Sequence, residues 1–309
     1  MNFFKPNFWD KKQISFFSIL LFPISLLIIF LNFVKRLLIK NKQSSIPVIC
    51  VGNIYLGGTG KTPLCNKIFS ILKEMNMNPA FIRKSYDDFE DEANLQKEIG
   101  PIYQNRKRFL AIEEAKKNKM NVAILDDGFQ DLSVKKDLSI ICFDEKQWVG
   151  NGLVIPAGPL REGLSSLKRA NCIFINGSKN ISIEEQILKK NKKIKFFYTK
   201  VEAQNINEFK NKNVVAFAGI GNPNNFFNVL KDHKINVLKE IKFPDHHKYS
   251  DKQLKELIQK KKVNNAILIT TEKDYFRIKE NFKEDINYLK IKVEIRNQDK
   301  FIEELKKII

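Results

Sequence analysis

Hydrophobic positions follow three patterns along this chain. Residues 13–34 form 22 consecutive uncharged positions rich in Phe, Ile and Leu. That run is long enough for a bilayer, which needs ~20 residues, and it leaves no polar face for water. Short apolar runs then alternate with helix-period stretches. The runs at 46–51, 79–82, 122–125, 138–143 and 172–175 predict buried strands, and 62–75 and 106–119 predict helices between them. This rhythm predicts a parallel sheet with crossover helices. A polar, Lys-rich stretch at 178–193 precedes a second block, with strands predicted at 214–217 and 266–269 and helices at 225–231 and 251–261. The expected division is an N-terminal membrane segment (1–40), an α/β domain (41–192) and a smaller α/β domain (193–309). Segments 194–201 and 287–295 are candidates for a two-strand connector.

Composition changes this picture little. Hydrophobic residues at 43% and charged residues at 29% suit a folded chain. The net charge of +19 favours anionic partners, although a Lys-rich composition by itself is a bland property. Cys50, Cys65, Cys142 and Cys172 form no Cys-x-x-Cys pair and read as reduced, buried thiols. Lys11 and Lys12 precede the apolar run, and Lys35, Arg36 and Lys40 follow it. Basic residues on both sides leave a spanning helix and a kinked interfacial anchor equally open.

The chemistry concentrates at strand ends. The strand at 46–51 runs into Gly52-Asn-Ile-Tyr-Leu-Gly-Gly-Thr-Gly-Lys-Thr62 and then a helix. Strand, glycine turn, Lys-Thr, helix is the frame that cradles nucleotide phosphates. Gly57, Gly58, Thr59 and Gly60 would supply backbone N–H groups, Lys61 would reach the transferred phosphate, and Thr62 would contact Mg²⁺. Tyr55 stands where that pattern usually has its first glycine. The fold expected is a P-loop NTPase-like parallel sheet domain. The strand at 122–125 ends in Asp126-Asp127-Gly128. Paired carboxylates beside a phosphate loop read as a second Mg²⁺ contact, with an ordinary Asp-Gly turn as the alternative. Arg161 closes the rigid run Pro156-Ala-Gly-Pro-Leu-Arg161, where it could meet phosphoryl charge or sit on a surface turn. Phe243-Pro-Asp-His-His247 is the only histidine cluster, and Asp91-Glu92 reads in isolation as a solvated helix start. Gly219-Ile-Gly221 lacks the third glycine of a dinucleotide site and reads as a turn.

Taken together, these motifs resemble the tetraacyldisaccharide 4′-kinase family, the lipid A 4′-kinases. The residues that carry the resemblance are Val51 through Pro63, Leu125 through Gln130, Gly150 through Glu162, Ala216 through Pro223, Phe243 through His247, and Thr271 through Asp274. The resemblance implies transfer of the ATP γ-phosphate to the 4′-hydroxyl of an acylated glucosamine disaccharide 1-phosphate. It implies that Lys61 and Arg161 stabilise the moving group and that Thr62 and Asp127 hold Mg²⁺, with Asp126 and Glu92 close by. Asp91 would take the hydroxyl proton, aided by His246, and Arg106 would lie near the site. It also implies work at the inner leaflet on the cytoplasmic face of the membrane, with no obligate protein partner. The segment between Tyr86 and Asp91 is shorter than the family's, and Asp131 replaces its usual histidine. A membrane-bound ATPase switch of the partitioning type has a similar glycine loop. It carries a signature lysine where this chain has Leu56. No recognised nucleic-acid motif accompanies the basic charge.

Overall fold

The computed structural model describes residues 5–11, 13–85 and 96–309. The apolar run becomes helix α1 (Phe16–Leu38), with Ser15 as its N-cap accepting from the Ser18 amide at 3.1 Å. Next come β1 (Val48–Gly52), α2 (Lys61–Glu74), β2 (Pro79–Lys84), β3 (Ile102–Asn105), α3 (Arg108–Lys117), β4 (Val122–Asp126) and β5 (Leu138–Asp144). They are followed by β6 (Cys172–Asn176), α4 (Ile181–Leu188) and β7 (Lys195–Ala203). A second series follows: β8 (Asn213–Ala218), α5 (Pro223–Asp232), β9 (Asn236–Lys242), α6 (Asp251–Val263), β10 (Ile267–Thr271) and β11 (Ile286–Leu289). The chain ends with β12 (Ile291–Arg296) and α7 (Gln298–Lys306).

The chain forms two compact units. The larger holds residues 5–200 and 293–309 around an eight-stranded sheet ordered β12-β7-β6-β5-β1-β4-β2-β3. Pairings from β7 through β3 are all parallel. Every residue of β1, β4 and β5 is buried, as a parallel sheet covered on both faces requires. The smaller unit, Val201–Lys292, holds the parallel sheet β11-β10-β8-β9.

The expected division at 192 therefore differs from the structure. Strand β7 still belongs to the first sheet, and β12 returns to lie beside it. Phe301 of α7 fixes that return, packing edge-on against Phe174 and Phe197 with centroids 4.9 and 5.3 Å away. The candidate connector at 287–295 is split between the two sheets, as β11 and β12. Strands β3 and β9 have no counterpart in the sequence reading, because both are short or largely solvent-facing.

Helix α1 also departs from expectation, because one polar stripe runs down it. Ser18 and Ser25 are fully buried, whereas Phe16, Leu20, Leu27, Phe30 and Leu37 are exposed. The Ser18 hydroxyl accepts from Asn151 Nδ2 at 3.1 Å. The Ser25 hydroxyl donates to the Val154 carbonyl at 2.8 Å and accepts from the Ala157 amide at 3.1 Å. At the far end Arg36 pairs with Glu162 at 2.6 Å. The helix is thus bonded along its length to the 151–162 loop.

Candidate active site

The site is built where β1 and β4 end side by side. After β1 the chain turns through the glycine loop into α2. Gly60 caps that helix at φ +83°, a conformation that favours glycine. Gly52 is fixed for another reason, since a Cβ there would lie 2.6 Å from that of Phe129. Asn53, fully buried, braces the loop from beneath. Its Nδ2 donates to the Gly57 carbonyl at 3.2 Å and to Thr59 Oγ1 at 3.0 Å. Tyr55, in the place of the usual first glycine, sits opposite Leu160 in an antiparallel bridge whose bonds are made by its neighbours, the Leu56 amide to the Pro159 carbonyl and the Arg161 amide to the Ile54 carbonyl. The Tyr55 phenol donates to Asp10 at 2.7 Å.

Parallel pairing of β1 with β4 puts Val51 against Asp126, so the acidic pair falls beside the loop. The Thr62 hydroxyl donates to Asp126 Oδ2 at 3.3 Å. Gln96 Nε2 lies 3.1 Å and Arg83 Nη1 3.4 Å from the same oxygen. Asp127 turns the other way, with φ at +52°. Both its carboxylate oxygens accept from Arg161 Nη1 at 2.9 Å, and Lys61 Nζ lies 3.8 Å away. Arg161 is brought there by the loop pairing, since its own amide donates to the Ile54 carbonyl at 2.7 Å.

Arg108 holds the turn from behind. It is buried, and it donates to the Asp127 carbonyl at 3.0 Å and to Asp131 Oδ2 at 2.9 Å. Burial alone would raise the Asp131 pKa. The Ser133 hydroxyl and amide, together with Arg108, reverse that and pull it down to about 2. Burial pushes the thiols of Cys50 (up to about 11), Cys65 and Cys142 upward, so these core cysteines are unreactive.

The structure therefore brings Lys61, Thr62, Asp126, Asp127 and Arg161 together. Arg106 is not among them. It lies exposed on the turn after β3, and Arg108, two residues on, fills the position against the acidic pair. Asp91 and Glu92 lie outside the described residues. His246 belongs to the smaller unit, where its backbone takes φ +56°. Sequence reasoning missed Asn53, Arg83, Gln96 and Arg108. Only Asn53, embedded in the glycine run, carried a signal that position could have revealed.

A cluster of cations facing two strand-end carboxylates under a glycine loop is a phosphoryl-transfer arrangement. The family model for tetraacyldisaccharide-1-P 4′-kinase matches residues 17–98 and 87–309. The chain belongs to the tetraacyldisaccharide 4′-kinase family. It is 42% identical to the tetraacyldisaccharide 4′-kinase of Pelagibacter ubique, with 98% of each chain covered. It is 34% identical to that of Rickettsia bellii, with 97% of each covered. The solved structure of LpxK from Aquifex aeolicus in complex with ATP superposes at a TM-score of 0.73 and 25% identity, covering 94% of this chain and 99% of that one. As a member of this kinase family the chain has the P-loop NTPase-like fold its motifs predicted.

The residues present fit a magnesium ion. Mg²⁺ keeps several waters and takes one or two protein oxygens plus substrate phosphates. The buried Asp126 carboxylate beside the Thr62 hydroxyl offers that donor set. Among the described residues no group of three or more His, Cys, Asp or Glu gathers as a metal cage. Asp127, the expected ligand, instead faces Arg161 and Lys61.

Proposed function

We propose that this chain transfers the γ-phosphate of ATP to the 4′-hydroxyl of a tetraacylated glucosamine disaccharide 1-phosphate, a step of lipid A biosynthesis. The observation that carries this reading is the convergence of Lys61, Thr62 and Arg161 on the Asp126-Asp127 pair in a chain of this family. In the transfer the sugar oxygen bonds to the γ-phosphorus and the bond to the β-phosphate oxygen breaks. The hydroxyl proton leaves to a base, for which Asp91 is the candidate. Lys61 and Arg161 would balance the charge spread over the moving group. Thr62 and Asp126 would hold Mg²⁺, with Asp127 and Glu92 as further candidates. When bound, that ion would supply positive charge against the charge that develops on the phosphoryl group. His246 would assist from the smaller unit.

The lipid substrate also gives α1 a role. A helix bonded to its own globular unit at Ser18, Ser25 and Arg36 is held alongside that unit over about 27 Å. This supports an interfacial anchor entering one leaflet, with its exposed Phe, Leu and Ile side chains among acyl chains. Because ATP is cytosolic, the leaflet proposed is the inner one. The test is to incubate the purified full chain with ATP, Mg²⁺ and an acylated disaccharide 1-phosphate and to weigh the lipid product. A gain of one phosphate on the distal sugar is expected. ATP hydrolysis that ignores the lipid would sink the reading.

A further inference from the structure

The run Thr271-Glu-Lys-Asp274 has no part in the chemistry derived so far. It starts at the end of β10, and Thr271 caps the short turn Glu272–Tyr275 by accepting from the Asp274 amide at 3.1 Å. The Asp274 side chain is fully buried and fully bonded. Its Oδ2 accepts from the Gly219 amide at 3.0 Å and from the Thr271 hydroxyl at 2.8 Å. Its Oδ1 accepts from the Tyr249 hydroxyl at 3.0 Å and from Arg277 Nη1 at 3.2 Å. Burial and the Asp274 charge push the Tyr249 phenol upward, so it remains a donor.

Arg277 is therefore a clamped side chain, 3% exposed, with a second bond from Nη1 to the Gly219 carbonyl at 2.9 Å. Its other nitrogen, Nη2, lies 3.1 Å from His246 Nδ1. A guanidinium has donors and no acceptor. The bond can exist only if Nδ1 is bare, and a neutral imidazole with a bare Nδ1 carries its proton on Nε2. Protonating the ring at Nδ1 would set N–H against N–H beside a fixed cation. The backbone holds the ring in place from the other side. The His246 amide donates to Asp245 Oδ1 at 3.0 Å and to the Gly219 carbonyl at 3.1 Å. The Asp245 Oδ1 oxygen lies 3.9 Å from Nε2.

We propose that Arg277, clamped by Asp274, is a positioning residue that fixes His246 as the neutral Nε2–H tautomer, so that His246 presents a proton as a donor rather than serving as a base. The tautomer follows from geometry inside the smaller unit alone. Only its use, as a proton donor in the transfer, rests on the kinase reading.

The test is long-range ¹H–¹⁵N spectroscopy of the imidazoles in the ¹⁵N-labelled full chain in detergent. The chain has three histidines, so His233→Gln and His247→Gln complete the assignment. His233 is an internal contrast. Its Nδ1 lies 2.8 Å from the Val229 carbonyl, which calls for the opposite tautomer. For His246 the expected spectrum of the neutral ring shows a bare Nδ1 and a protonated Nε2. Arg277→Met should mix the two tautomers and lower kcat ~10-fold with KM for ATP unchanged, and Arg277→Lys should restore both readouts in part. Asp274 keeps three other donors in the Met variant, so the fold should survive. A wild-type His246 protonated on Nδ1, or a His246 spectrum unchanged by Arg277→Met, would overturn the proposal. The spectra need no substrate. An Nε2–H wild type that fails to phosphorylate the lipid would therefore count against the kinase reading alone.

Discussion

Lys61 and Arg161 meet at one carboxylate from opposite directions, one from the first turn of a helix and the other from a distant loop. Removing either should remove most transition-state charge balance. Lys61→Ala and Arg161→Ala are each expected to lower kcat by about 10³-fold or more in the lipid assay. Near-normal turnover in either variant would refute the proposed pair. Arg108 and Asp131 make a different kind of contact, a structural lock with a pH signature. The folded Asp131 pKa lies below its unfolded value, so the lock's stability is complete above roughly pH 4 and disappears as pH falls through about 2. Discounted for partial exposure, Asp131→Asn should cost about 1–2 kcal/mol at neutral pH and flatten the acid limb of the stability curve. Urea titrations at several pH values would show this, and an unaltered acid limb would refute it. At this scale the placement of Lys61 and Thr62 beside the acidic pair was legible, because the glycine turn and the helix start that carry them lie in one local run. Arg108 was not, because its partners Asp127 and Asp131 arrive from another strand, and nothing in sequence separates it from the exposed Arg106 two positions earlier.

Among the elements, α1 shows most plainly what periodicity can and cannot reveal. Its length and apolarity were readable, yet nothing local sets Ser18 and Ser25 apart in so apolar a run. Their meaning lies in a loop more than a hundred positions away, which no local pattern reports. Ser25→Ala would leave the Ala157 amide unsatisfied in a buried site, while the Val154 carbonyl would keep only its bond from the Gly158 amide at 3.1 Å. The expected loss is about 1–3 kcal/mol, a drop of several degrees in thermal midpoint, with turnover reduced because the same loop carries Arg161. A midpoint and turnover equal to wild type would show that the serine bonds do not hold the loop. The central strands were legible for the opposite reason. Burial on both faces writes itself into sequence as short runs dominated by Val, Ile and Leu.

For the molecule as a whole, the surplus of 19 positive charges and the exposed apolar face of α1 predict two separable forces on a lipid surface. Binding to anionic vesicles should weaken as salt rises from ~0.1 to ~1 M, where the screening length falls from about 10 to 3 Å. An apolar component should persist at the higher salt. Complete release by salt would leave α1 without the proposed role. The path of the chain has its own consequence. It leaves the larger sheet after β7 and re-enters it at β12, the neighbouring strand. The region 201–292 is therefore a cassette spliced into a sheet edge. A short glycine linker joining β7 directly to β12 should yield a trimmed protein that still folds around the glycine loop and binds ATP, and it should transfer nothing if His246 acts as proposed.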